Sequence, residues 1–73
     1  MTDTRFPAPD DSYTNRPCAA AGLTSYRCRG RYGWIMIGAY DHEDAMREAR
    51  RSSDSAERSG LEVWNGSAYV PAL

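Results

Sequence analysis

Apolar and polar residues alternate in two stretches of the chain and follow a helical period in one between them. Residues 61–70 read LEVW-NG-SAYV. Asn65-Gly66 between two alternating runs is a strong hairpin signal and predicts a two-residue turn. That turn pairs Trp64 with Ser67, Val63 with Ala68, Glu62 with Tyr69 and Leu61 with Val70. Leu61, Val63, Ala68 and Val70 then form an apolar face that belongs in a core, and Glu62, Trp64, Ser67 and Tyr69 face the other way. Residues 25–39 contain the second alternating stretch. As one strand they would place Arg27, Arg29 and Arg31 on the face of Ile35, Ile37 and Ala39, a conflict that calls for a break. A Gly30-Arg31 turn supplies it. Arg29 is then set against Tyr32, Arg27 against Trp34, and Tyr26 against Ile35. Thr24, Tyr26, Cys28, Ile35 and Ile37 share the core face, while Arg27, Arg29, Tyr32, Trp34 and Met36 share the opposite one.

Between the hairpins, DHEDAMREARRSS carries a helical period. Asp41 is a good N-cap and Asp44 stands where a capping box places its acid. Acids at the start (Asp41, Glu43, Asp44) and arginines at the end (Arg47, Arg50, Arg51) match the helix dipole, and Glu43–Arg47 has the favoured i,i+4 spacing. These signals predict a helix over about residues 42–53 with a narrow buried stripe of Ala45, Met46, Ala49 and Ser53. Residues 54–60 read as a loop. Residues 1–22 hold three of the four prolines and little periodicity, and read as a flexible N-terminal tail in which Phe6 and Tyr13 are candidates for docking. Residues 23–73 make the domain. The expected fold is α+β, a β-β-α-β-β unit with one antiparallel sheet and one helix packed on one face.

Length changes this picture in one respect. A domain within 73 residues rarely draws more than about 3–5 kcal/mol from its core, so oligomerisation (a homodimer), a partner or a disulfide is expected to supply part of the stability. All nine basic residues are arginine, and ten acids leave a net charge of −1. That balance is neither that of a free-standing nucleic-acid binder nor that of a whole-molecule DNA mimic. Cys18 and Cys28 lack metal-site spacing. With no signal peptide or membrane span in view, they read as reduced thiols in a cytoplasmic chain.

Little in the sequence points to catalysis. His42 stands alone at the helix start, without a partner for a triad. No phosphate-loop, dinucleotide-binding or zinc-protease motif is present, and no cofactor or metal is expected. Asn65-Gly66-Ser67 matches a glycosylation sequon, but the turn already accounts for it. The candidate partner-binding residues are Arg27, Arg29, Tyr32, Trp34, Trp64 and Tyr69, because Arg, Trp and Tyr dominate interface hot spots and arginines opposite aromatic rings make cation–π pairs. Asp41, Glu43, Asp44 and Glu48 form a second, acidic candidate surface. A small Arg/aromatic sheet face also suits single-stranded nucleic acid.

The segment GRYGWIMIGAYDHEDAMREARRS followed by LEVWNGSAYVP resembles short open reading frames of temperate phages from GC-rich bacteria. Among phage proteins of this size and build, the chain is similar to anti-CRISPR proteins. That resemblance implies a small, non-enzymatic inhibitor that sits on a CRISPR effector complex of type I (Cascade) and blocks recognition of target DNA. It also implies that the helix acids imitate a few phosphates near a protospacer-adjacent-motif reader.

Overall fold

The computed structural model describes residues 14–73. Its elements are β1 (Thr24–Gly30), β2 (Gly33–Ala39), α1 (His42–Ser52), a short 3-10 turn (Arg58–Gly60), β3 (Leu61–Trp64) and β4 (Tyr69–Pro71). The expected α+β unit is present: one four-stranded antiparallel sheet with one helix over it. The two hairpins join through β1 and β3, so the strand order is β2-β1-β3-β4. Among the described residues no helix is long and apolar enough to cross a membrane.

Both hairpins fold in a different register from the one the turn signals predict. In the first, Arg31 and Tyr32 form the loop, and Gly30 pairs with Gly33, Arg29 with Trp34, Cys28 with Ile35 and Arg27 with Met36. Gly33 has φ +130, a conformation that only glycine adopts without strain, and it sets where β2 begins. In the second, Trp64 pairs with Tyr69 and Val63 with Val70 across a four-residue connection. There the Asn65 side-chain oxygen accepts from the backbone N–H groups of Ser67 (2.8 Å) and Ala68 (2.9 Å), a side-chain-closed turn that replaces the tight one. Each shift moves a residue's partner by two positions. Faces alternate with period two, so the face assignments survive. Thr24 and Ala68 are exceptions on the core face, both exposed, one at a strand end and one in the loop, and Tyr32 and Ser67 leave the opposite face for the two loops.

The core is Tyr26, Cys28, Ile37 and Ala39 from the first hairpin, Leu61 from β3, and Ala45, Met46 and Ala49 from α1, extended by Ala56 and Ala72. Three of the four residues of the predicted helix stripe are buried; Ser53 is half-buried and forms the C-cap. The two alanines let α1 lie close on β1 and β2. Asp41 caps the helix by accepting from the Asp44 N–H at 2.7 Å. Arg47 pairs with Asp44 at 2.8 Å rather than with Glu43.

The stretch read as a tail over residues 1–22 is described from Thr14 onward, and there it lies against the sheet. The Cys18 and Ala19 N–H groups donate to the buried Ser25 hydroxyl at 3.0 and 2.8 Å. Ala19 approaches Gly38 so closely that a Cβ there would sit 3.2 Å from the alanine methyl. Phe6, Tyr13 and the rest of the predicted tail lie outside the described residues.

Candidate functional site

The sheet face opposite α1 is built around Arg27. Its strand position places it between Met36 on β2 and Glu62 on β3. The guanidinium Nε and Nη2 reach Glu62 Oε1 at 2.8 and 2.7 Å. Nη1 donates to the Thr14 carbonyl (2.8 Å) and to the Asn15 side-chain oxygen (3.0 Å). The same group lies 4.0 Å from the centre of the Trp34 ring and 4.7 Å from that of Tyr69. A planar cation with in-plane donors and two open faces suits this arrangement, and lysine could not reproduce it. The ion pair is largely covered, with side-chain exposures of 14% for Arg27 and 21% for Glu62.

Rings extend the cluster on both sides. Tyr69 packs edge-on to Trp64, ring centres 5.2 Å apart, and its hydroxyl donates to the Arg16 carbonyl at 2.8 Å. Burial, with the Cys18 thiol beside it, raises the Tyr69 pKa well above the ordinary phenol value. Arg29 is exposed and lies 5.1 Å from the Trp34 ring centre.

Five of the six predicted partner-binding residues thus share one face: Arg27, Arg29, Trp34, Trp64 and Tyr69. Tyr32 does not. The register shift carries it into the turn, where it is 94% exposed, and the predicted Arg29–Tyr32 pair does not form. Nor does Arg27 stand directly across from Trp34; it reaches that ring diagonally, while Arg29 takes the directly opposite position. Arg27 and Tyr69 are internal, so the exposed part of the patch is Arg29 and the half-buried Trp34 and Trp64. Sequence reasoning missed Glu62 as the partner of Arg27, although it had placed both on this face. The only available signal was the charge pair itself. Thr14 and Asn15 carried no signal.

The acidic surface is mostly engaged within the helix. Asp41 is the cap, Asp44 accepts from the Tyr40 N–H (3.1 Å) and holds Arg47, and Glu48 holds Arg51 at 3.3 Å. Glu43 is exposed. His42, read as a surface residue beside the cap, shares a 2.8 Å hydrogen bond with the Tyr26 hydroxyl through Nδ1 and latches the helix start onto β1. Burial, then the Asp41 charge, raises the Tyr26 pKa. The two cysteines are free thiols. Cys28 is in the core, where burial raises its pKa, and Cys18 lies against the opposite face, so the sheet separates them. Among the described residues no group of His, Cys, Asp and Glu side chains could hold a metal ion.

A cleft of about 550 Å³ opens between the β1–β2 turn and the end of α1, lined by Arg31, Tyr32, Trp34, Arg50, Arg51 and Asp54 among others. Its charged lining is three arginines against one acid, opposite in sign to the chain as a whole.

Comparisons with protein-family models, with curated proteins and with solved structures found no match to this chain.

Proposed function

We propose that this chain is a non-catalytic binding protein that seats a protein partner on the sheet face opposite its helix, around Arg29, Trp34 and Trp64. The observation that carries this reading is the locked Arg27 guanidinium beneath Trp34, held by Glu62, Thr14 and Asn15. It fixes an aromatic surface before any partner arrives, and pre-ordered aromatic anchors lose little entropy on binding. The partner class rests on sequence resemblance alone: similarity to anti-CRISPR proteins supports a type I CRISPR effector complex, with inhibition of target-DNA recognition as the outcome. The test is titration of the chain into such a complex with labelled target DNA. Stoichiometric loss of DNA binding is expected. Trp34→Ala or Trp64→Ala should weaken it by roughly 2 kcal/mol, with circular dichroism confirming that each variant is folded. Unchanged inhibition by both variants would overturn the site.

The arginine-lined cleft favours a second reading, a single-stranded nucleic acid with phosphates on Arg31 and Arg50 and a base stacked on Tyr32. Fluorescence polarisation with a labelled single strand at low salt decides it. No binding there removes the reading, and binding that falls steeply with salt supports it.

A further inference from the structure

The two edges of the sheet differ in how they are protected. β4 is three residues long and ends at the exposed Pro71, so little backbone is left for another strand. β2 is seven residues long, GWIMIGA, with no charge and no proline. Natural proteins rarely leave such an edge without a guard. Gly30 and Gly33 flank a two-residue loop and therefore form a hydrogen-bonded pair. By the alternation of an antiparallel ladder, Trp34, Met36 and Gly38 turn their N–H and C=O groups away from β1, toward the open edge.

We propose that β2 pairs antiparallel with β2 of a second copy about a two-fold axis through Met36, giving a homodimer with a continuous eight-stranded sheet. Met36 is the middle residue of β2, so this register engages all three outward-facing residues of each strand. Several separate features of the single chain are accounted for together. Tyr32 and Tyr40, which are 94% and 78% exposed, come opposite each other at both ends of the pair. Arg31, which has no acidic partner among the described residues, stands in the β1–β2 turn next to Tyr32, at the end of the pair where Asp41 of the second copy follows its Tyr40. Trp34 comes opposite Gly38, where the indole meets the Ala19 and Leu23 side chains that cover that glycine, and Ile35 comes opposite Ile37.

The helix adds charge complementarity. α1 follows β2 through two residues and runs back along it: His42 is beside Tyr26, the cross-strand partner of Ile37, and Arg50 and Arg51 line the cleft with Gly33 and Trp34. Antiparallel edge pairing keeps both helices on the same face. The acidic start of one, Glu43 and Asp44, then lies toward the basic end of the other, Arg50 and Arg51. The two Arg29–Trp34–Trp64 patches likewise share the other face, so the dimer presents them side by side.

Sedimentation equilibrium of the full chain over micromolar to submillimolar concentrations tests the assembly, with twice the 8.2 kDa chain mass expected. Met36→Lys should raise the dissociation constant by about tenfold or more, since a lysine on an edge strand opposes pairing. An unchanged circular dichroism spectrum shows that this variant still folds. Register is tested by oxidation in a Cys18→Ser background. The Tyr32→Cys/Tyr40→Cys double variant, or a mixture of the two single variants, should form covalent dimers. Either single variant alone should not, because its thiols would stand about 26 Å apart across the pair at strand spacing. A chain that stays monomeric throughout, or single variants that cross-link as readily as the double, would overturn the proposal.

Discussion

On the helix side of the sheet, Leu61, Cys28 and Tyr26 are buried against Ala45, Met46 and Ala49. On the other side, Arg27 lies against the Trp34 and Tyr69 rings, paired with Glu62 and held by Thr14 and Asn15. The first face is closed by removing apolar surface from water, a non-directional effect that tolerates variation in shape. The second is closed by directional contacts, in which each group satisfies a particular neighbour. The contrast teaches that a small sheet with a helix on one face can finish its other face with a charged centre. The cost of disturbing that centre depends on what remains behind.

The largest expected effect is on the helix side. Leu61 is 1% exposed, and Leu61→Ala should lose about 2–5 kcal/mol in urea denaturation, enough to leave much of a domain this small unfolded. A loss below 1 kcal/mol would show that this face is not the main source of stability. Next comes the opposite face. Arg27→Met removes the cation but leaves the Glu62 carboxylate, the Thr14 carbonyl and the Asn15 side chain without it. It should cost about 1–3 kcal/mol, below the figure for a fully buried pair because both side chains keep some contact with water. Arg27→Met/Glu62→Leu should recover part of that loss, since it removes the stranded carboxylate. A double variant less stable than Arg27→Met would contradict the directional account.

A smaller effect is expected at Ser25, whose hydroxyl accepts from two backbone N–H groups. Ser25→Ala should cost about 1–2 kcal/mol. In hydrogen exchange it should expose the Cys18 and Ala19 amides while leaving those of α1 protected. Alkaline pH should act last and least abruptly, on both faces together. Tyr26 and Tyr69 have pKa values raised by burial. Below the ordinary tyrosine value of about 10, they are protonated in folded and unfolded chains alike, and their contribution is complete. Above it, the unfolded chain loses protons that the folded chain keeps, so stability falls as pH rises. Burial raises the Cys28 pKa as well, so denaturant midpoints should begin to decline near the ordinary thiol value of about 8.5 and fall more steeply above about 10; a rise between about pH 8 and 11 would reverse the assignment.

The candidate site was legible in part. The sequence indicated that Arg27, Trp34, Trp64 and Tyr69 share a face, because side-chain alternation is a local property of the strands. It did not indicate that Arg27 is enclosed. Glu62 is 35 residues away along the chain, and the backbone oxygen that Tyr69 uses is 53 away, so no local pattern links them.

By itself the sequence determined the elements and their faces. Alternation, the Asp41 cap, the graded charges of α1 and the need to separate the arginines from the isoleucines act within a few residues of each position. Tertiary structure alone decided the strand order and the packing of residues 14–22 on the sheet. It also decided the register of both hairpins, where Gly33 and the Asn65 side chain placed the turns differently from the dipeptide signals. The reason is physical. A shift of two partners costs nothing in face identity, so the pattern cannot specify it. The packing of β1 against β3, Ala19 against Gly38 and Glu62 against Arg27 distinguishes one register from the next.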